Sequence, residues 1–575
     1  MRPSETSRFN ALLCALALIG CALAARPFVE TGISDDWSYV RTAQLLAQTG
    51  HVVYNGWAAM LLGWQLPVAA LSFKLFGFSF TAARMSMLVI AAATTFMIQR
   101  SFVQAGLAEW NATLATLTLV LSPLFLPLSL MFMTDVSGLF AIGVCFYGCL
   151  RALKASSSHK SAAWISFAAL FNAVGGTARQ IAWLGVLVMV PSAMWLLRRQ
   201  KNVVIVGMAA LTVSIAIIFG SLHWFLLQPH TLSESPWIKL FSLAVCRVLL
   251  YQLLRIIVGV SFLMLPVLFG YLLALRRSRR QLPAVLAIVI LGMCLARMLQ
   301  LHSFQGIVPW PIPPIFAGGI VSSAGIWEAS PIFGTRPEWL SWHIRLIVTA
   351  ITLVSLISTI LVVCFGVRKH LGNKGQEDIP WRSLLVLSLP FLMAYLLLLA
   401  PRAISTGLFD RYLLPILLVI LPLAVRYYQE FISTRLPFST CAFVVFVAIV
   451  TVAGTHDLFA MFRATLAAAA EVHASGVSET AIDAGWEYNA LTELNAVGFI
   501  SSPPNLKASD LPKGPNLCPQ VFAAVFPHVH PQYSIAFDPN VCGGRADFAP
   551  VTYSMWLPWR KVTIFVVKNP IAQPH

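Results

Sequence analysis

The run Leu12-Leu13-Cys14-Ala15-Leu16-Ala17-Leu18-Ile19-Gly20-Cys21-Ala22-Leu23-Ala24-Ala25 carries no charge, follows Arg2 and Arg8, and precedes Ser34-Asp35-Asp36-Trp37-Ser38-Tyr39. Such a run crosses a bilayer as a helix, because in hydrocarbon every backbone polar group must find its partner inside the segment. Basic residues stay on the cytoplasmic side, so the two aspartates emerge on the outer face. Arg8, the apolar stretch and Ala22-Leu23-Ala24 also fit a cleaved secretory signal. In a chain so rich in apolar runs an uncleaved anchor is the expectation, and the aspartates face outward either way.

Adjacent carboxylates each raise the cost of ionising the other, so Asp35 and Asp36 suit a proton acceptor or, together, a divalent cation. The plainer alternative is a helix cap, with Ser34 or Asp35 opening a helix through Tyr39, Ala43 and Leu46.

Composition sets the class. Over 575 residues the chain is 58% hydrophobic and 11% charged, with a mean hydropathy of +0.78. No water-soluble fold buries that much apolar surface, so the chain is an all-α polytopic membrane protein. The net charge of +17 sits in short clusters between apolar runs, which reports topology and excludes a nucleic-acid partner. The cysteines in apolar runs, such as Cys145 and Cys149, lack metal-ligand spacing, and only Cys518 and Cys542 lie where they could pair.

Apolar runs and basic clusters alternate along the chain. After the first span comes an outer segment over 28–79, whose Leu61 to Phe76 portion suits the membrane interface. Spans follow near Thr81–Ile98 and Ala112–Met131, delivering Thr134-Asp135 to the outer face, and Val136–Leu150 returns to Arg151 and Lys154. Ala162 to Leu197 is a helical pair broken at Gly175-Gly176-Thr177-Ala178-Arg179-Gln180, with Arg179 at the outer turn. A span to Phe225, a loop with His230, Glu234 and Lys239, and a return to Arg276, Arg277, Arg279 and Arg280 come next. Leu282–Met298 leads to a long outer loop, His302 to His343, whose Trp content points to a functional loop. Leu346–Val367 ends at Arg368, Lys369 and His370, Leu384–Leu399 exits at Pro401-Arg402, and Asp410-Arg411-Tyr412 lies in the next outer turn. Leu413–Val425 and Ala442–Gly454 complete about thirteen crossings.

From Thr455 polar residues return to ordinary frequency. The expected domains are therefore a membrane domain over 1–454 and a small α+β extracytoplasmic domain over 455–575. A helix over Ala464–Gly476 and strands around Trp556 and Trp559 are expected in it. His528 and His530 between Pro527 and Pro531 read as a loop, not a metal site. Asp483-Ala484-Gly485-Trp486-Glu487-Tyr488 combines acids and aromatics, so Trp486, Glu487 and Tyr488 are candidate acceptor-binding residues, with ordinary core packing of the aromatics as the alternative.

The outer face thus gathers Asp35, Asp36, Asp135, Arg179, Arg402, Asp410 and Arg411 at the ends of spans. Charges tolerated at span ends account for some of these. Carboxylates beside arginines also suit a chemistry in which an acid takes a proton while guanidinium groups hold a phosphate at the lipid surface.

Asp35-Asp36 with Tyr39, an outer segment ending Leu75-Phe76-Gly77, Arg84, Thr134-Asp135, and Asp410-Arg411-Tyr412-Leu413-Leu414-Pro415 occur in an order similar to that of the polyprenyl-phosphate-dependent glycosyltransferases of the type C (GT-C) fold. That family includes protein O-mannosyltransferases and lipid A aminoarabinose transferases. The resemblance covers about Ile33 to Leu150 and Arg402 to Pro415, with the tail matching only in position and size. It implies Asp35 as catalytic carboxylate, Asp135 nearby and Arg411 near the donor phosphate. Aminoarabinose transferases carry a Glu-Lys pair where this chain has Trp57-Ala58-Ala59-Met60-Leu61-Leu62-Gly63-Trp64, and an arginine where it has Ser38. Loss of a metal ligand and two phosphate contacts argues against aminoarabinose transfer itself.

The expected function is transfer of a sugar from a polyprenyl-phosphate donor to a lipid, glycan or protein acceptor outside a cell inner membrane, with inversion. Asp35 would be the base, Asp36 or Asp135 would orient it, and Arg411, Arg179 and Arg402 would bind the donor phosphate. No cofactor is called for, and a divalent cation at Asp35/Asp36 stays open. The alternatives are a transporter or lipid flippase, with charges lining a path, or a non-catalytic relative. The alternating clusters generate a topology test: a reporter fused after Arg280 is expected in the cytoplasm and one fused after Thr455 outside. Both on one side would overturn the span order.

Overall fold

The computed structural model describes residues 3–232, 242–276, 290, 311–316, 319–327, 332–365, 379–405, 407–500 and 525–570. Glu234, Lys239, Arg277, Arg279, Arg280, the Leu282–Met298 span apart from Ile290, the Arg368-Lys369-His370 cluster and Cys518 lie outside them. Among the described residues, eight helices are long and apolar enough to cross a membrane, and four shorter apolar helices accompany them.

Helix α1 (Pro3–Ala24) is followed by two helices of the first outer segment, α2 (Asp36–Thr49) and α3 (Gln65–Phe76). Leu71, Leu75 and Phe76 stay exposed on α3, the apolar face expected of a helix lying at the interface. Helix α4 (Phe80–Gln104) opens where Glu30 accepts hydrogen bonds from the N–H groups of Phe80 and Thr81, placing an acid at the positive end of the helix. The crossing expected as one piece to Met131 is broken: α5 (Glu109–Val120) stops before Pro123, and a single turn, α6 (Phe125–Leu128), resumes it. Proline lacks the N–H that would continue the ladder.

Helices α7 (Thr134–Leu153) and α8 (Ser158–Gly175) pack closely, with Gly148 and Gly175 letting the backbones approach over Ala168 and Ala141. The chain then turns through a 3-10 stretch, Gln180–Trp183, and a π turn, Gly185–Met189, into α9 (Val190–Leu196) and α10 (Lys201–Leu226). Helices α11 (Leu243–Leu263), α12 (Leu265–Arg276), α13 (Trp342–Phe365) and α14 (Trp381–Ser405) follow. A 3-10 turn, Asp410–Leu413, leads into α15 (Leu414–Phe431).

The last crossing and the helix expected over Ala464–Gly476 are one uninterrupted helix, α16 (Phe438–Ala474), which carries the chain straight out of the membrane. The tail adds α17 (Trp486–Val497) and a five-stranded sheet. Strand β3 (Ile482–Asp483) runs parallel to β4 (Tyr533–Ala536), which pairs antiparallel with β7 (Arg560–Lys568); β5 (Arg545–Ala546) and β6 (Val551–Met555) also pair antiparallel with β7. The Val551–Val567 alternation is thus a hairpin, with Trp556 and Trp559 in its turn. Cys542 is disulfide-bonded.

The long outer loop is built into both halves. Its described part forms a small hairpin, β1 (Val321–Ser322) with β2 (Gly325–Ile326). Buried Arg255 and Arg345 donate to the carbonyls of Ile315 and Pro311, holding the loop to α11 and α13. Further on, Phe537 N–H donates to Phe333 C=O and Thr335 N–H to Asp538, which joins the loop to the edge of the tail sheet. We call the face carrying this loop, Asp35 and the tail the outer face.

Candidate active site

The turn that presents Asp35 is fixed from three directions. Buried Arg84 of α4 donates to the carbonyls of Val29 and Thr31. The Asp36 carboxylate accepts from Ile33 N–H at 2.6 Å and from Phe132 N–H at 3.2 Å, tying the turn to the segment before α7. Ser34 has φ 64°, a left-handed conformation uncommon outside glycine, and its N–H donates to Glu487 at 3.1 Å across 453 positions of sequence. Gly32 must be glycine, since a Cβ there would meet the Trp37 Cβ at 2.6 Å.

Asp35 and Asp36 consequently do different work. Asp36 is buried, and that burial pushes its carboxyl up to about 6 while Arg84 and its two N–H partners pull it back. Asp35 stands at the N-cap position of α2 yet makes no capping hydrogen bond, so its carboxylate is left for the site. Its side chain is 29% exposed, accepts from the Trp57 indole N–H at 3.0 Å and faces Arg411 at 3.8 Å.

Asp135 lies in the first turn of α7, where the helix dipole favours an anion. It pairs with Arg179 at 2.9 Å and faces the Arg411 Nε at 3.9 Å. Arg179 comes from the glycine-rich turn after α8, where Trp64 is held by its indole N–H donating to Gly175 C=O. Gly138, one turn beyond Asp135, has the Arg179 stem only 3.1 Å from where a Cβ would be, so a side chain there would push the guanidinium away. Arg179 also donates to Thr134 Oγ1 at 3.1 Å and reaches Met60 Sδ at 3.9 Å.

Arg411 is aimed inward because its neighbour is anchored outward. The Asp410 carboxylate accepts from the N–H groups of Ile320 and Val321, at 3.0 and 2.8 Å, in the long outer loop. Three guanidinium groups surround the Tyr412 ring, those of Arg179 and Arg402 at 5.4 Å and that of Arg411 at 5.9 Å from its centre. Tyr395 Oη donates to the Tyr412 carbonyl at 2.9 Å. A narrow crevice is lined by Asp135, Arg179, Tyr395 and Arg411 together with Gly138 and Pro415.

Two cations, Arg179 and Arg411, thus meet two carboxylates, Asp35 and Asp135, with Arg402 against the same tyrosine ring. Both contacts of Arg411 exceed hydrogen-bond length, and neither Arg411 Nε nor Asp135 Oδ2 has a hydrogen-bond partner. Such a group leaves a guanidinium N–H and a carboxylate oxygen to offer an added ligand. It does not suit a divalent cation, because both Asp36 oxygens already accept backbone N–H groups and guanidinium flanks Asp35. No group of three or more His, Cys, Asp or Glu side chains poised to hold a metal occurs among the described residues.

The tail residues divide. Trp486 packs on Trp57 with ring centres 5.6 Å apart, and Trp57 on Trp37 at 5.4 Å, so Trp486 is one ring removed from the aromatic that touches Asp35. Glu487 is buried beneath the Asp35 turn, whereas Tyr488 is half-buried and packs into the main apolar core. His528 lies in a loop and pairs with Glu493 at 2.7 Å. Trp57 was legible only as part of a motif that fails to match, and no spacing announces the Glu487–Ser34 pairing.

No family model matches the sequence, and no curated protein does. Solved structures with some likeness include ArnT from Cupriavidus metallidurans in the apo state, at 12% identity, covering 97% of this chain and 99% of that one, with a TM-score of 0.38. The S. cerevisiae protein O-mannosyltransferase Pmt1-Pmt2 complex bound to the sugar donor has 14% identity over 40% of this chain and a TM-score of 0.30. The archaeal oligosaccharyltransferase AglB from Archaeoglobus fulgidus, in complex with an inhibitory peptide and a dolichol-phosphate, has 13% identity, covers 77% of this chain and has a TM-score of 0.36. The chain spans 36% of the Pmt chain and 55% of AglB. At these TM-scores the function proposed below rests on the chain's own residues.

Glu487 gives the site a pH signature. Burial pushes its carboxyl from 4.5 up to about 8; the Ser34 N–H opposes this, and the nearby Asp36 and Asp35 add to it. The native protein therefore holds a proton that the unfolded chain releases, so the contribution of Glu487 to stability is fully present below about 4.5 and is lost as pH rises through about 8. Glu487→Gln is expected to flatten that slope, with its thermal midpoint gaining on the parent protein at the alkaline end of the window. Parallel pH dependence in the two proteins would show that the carboxyl is not buried in this way.

Proposed function

We propose that this chain is a membrane glycosyltransferase that moves a sugar from a polyprenyl-phosphate carrier to an acceptor hydroxyl on the outer face of a cell inner membrane. The observation that carries this is the chain of contacts Asp35–Arg411–Asp135–Arg179, at 3.8, 3.9 and 2.9 Å, which joins four distant stretches of sequence. Asp35 takes the proton of the acceptor hydroxyl as its oxygen bonds to the anomeric carbon. The bond from that carbon to the phosphate oxygen breaks, and its electron pair leaves with the carrier phosphate. Arg411, with Arg179 and Arg402 around the same tyrosine ring, holds the charge that develops there. A single displacement with a base and no covalent intermediate inverts the anomeric centre. Asp135 keeps Arg179 and Arg411 turned toward the phosphate, and Asp36 holds the Asp35 turn.

On this reading the tail, 455–575, is an outer domain and Trp486 with Trp57 borders the acceptor. Glu487 acts from beneath the loop, and Tyr488 supports the packing.

Two substitutions test the roles. Asp35→Asn is expected to lower transfer roughly 10²- to 10⁴-fold, the range for losing a general base, with folding and membrane insertion unchanged. Turnover at the parental rate in a carrier-lipid assay would remove Asp35 as the base. Arg411→Lys keeps the charge but loses the paired donors of a guanidinium, and is expected to cost roughly tenfold or more in kcat/KM. Unaltered kinetics toward the lipid donor would count against phosphate binding by Arg411.

A further inference from the structure

The turn of the β6–β7 hairpin, Trp556-Leu557-Pro558-Trp559, is the most exposed aromatic feature of the tail. Trp559 is 89% and Leu557 39% exposed, although both belong to a soluble-looking segment. The turn closes on the Met555–Arg560 pair, so the four residues project from the end of the sheet.

Three contacts fix its height. Trp556 stacks on His456 of α16, with ring centres 3.8 Å apart and planes 12° from parallel. The Trp556 N–H also donates to Asp457 at 2.7 Å. From Phe438 at the inner end of α16, His456 is about 27 Å along the helix at 1.5 Å per residue, close to the ~30 Å of a hydrocarbon core. The second contact is Arg26, two residues past the end of α1, whose guanidinium lies 5.9 Å from the Trp556 ring. The third is on the other side of the hairpin, where Arg560 donates to Glu338 C=O at 2.8 Å. Glu338 just precedes α13, a largely lipid-facing helix that opens with Trp342 and Ile344 exposed. The turn therefore lies between the outer ends of α1 and α13, beside the middle of α16.

We infer that the β6–β7 turn inserts Trp559 and Leu557 into the headgroup layer of the membrane that the chain spans, anchoring the tail against the lipid surface. An indole is amphipathic and concentrates at that depth. Exposed Lys561, with Arg560 and Arg26 beside it, supplies the positive charge that anionic headgroups favour. The inference concerns lipid alone and is independent of the proposed chemistry.

The test uses the full-length chain, with exposed Cys246 and Cys364 replaced by serine and one spin label at Trp559→Cys, Leu557→Cys or Ser475→Cys. Position 475 is exposed just beyond the end of α16, about 28 Å farther along it than His456, and serves as the aqueous reference. In nanodiscs of phosphatidylethanolamine and phosphatidylglycerol, the ratio of oxygen to nickel-chelate collision rates is expected to be several-fold higher at 559 and 557 than at 475. It is expected to change when the bilayer is exchanged for detergent. Ratios at 559 and 557 equal to that at 475 would overturn the inference. So would labels immobilised identically in nanodiscs and detergent, which would mark a protein contact instead.

Discussion

The structure turns on keeping charged groups ionised at the edge of a low-dielectric slab. Desolvating an arginine or a carboxylate costs several kcal/mol, and the loss is offset only when opposite charges and hydrogen bonds are close at hand. Here Arg179, Arg402 and Arg411 share one aromatic ring, and Asp135 and Asp35 face them. Each of these residues belongs to a different segment. The cluster therefore exists only if α1, α7, the turn after α8, the end of α14 and the start of α15 end at one level, and the helix lengths satisfy that requirement.

Around the cluster lies a set of anchors that bind nothing themselves. Arg84 holds the Val29 and Thr31 carbonyls, Asp36 holds two N–H groups, Asp410 holds the outer loop and Glu487 holds Ser34. Every one is a buried ionisable group hydrogen-bonded to backbone groups. That arrangement satisfies the polar atoms of irregular chain segments next to a membrane, where an unpaired N–H or C=O is expensive. The acidic pair thereby separates: Asp36 is turned inward to hold the turn, and Asp35 is left partly exposed beside Arg411.

Much of this can be read from sequence for the same energetic reason. Apolar runs declare themselves because lipid excludes charge, and Asp35, Asp135, Arg179 and Arg411 stand out because charges beside such runs are rare. Pairwise partners across long separations do not declare themselves. Nothing local links Glu487 to Ser34, or Trp57 to Asp35. The continuity of α16 through Thr455 is hidden differently. Composition follows the solvent and changes at the membrane surface, whereas the helical backbone satisfies its own hydrogen bonds on both sides of it. The break at Pro123 was readable from proline's missing N–H, but apolar content on both sides of it masked the interruption.

The departure from aminoarabinose transferases at Trp57–Trp64 now has a physical content. Where those enzymes carry an acid and a lysine, this chain brings an indole N–H to Asp35 and a thioether to Thr134 and Arg179. Both are neutral and polarisable, and the thioether lies 3.9 Å from the same Arg179 nitrogen that Asp135 holds at 2.9 Å. The positive charge is concentrated on planar groups held by packing against Tyr412. On the proposed reading, planar cations held in this way grip a phosphate with paired donors, so the two missing residues would change how the phosphate is gripped without removing the means of gripping it.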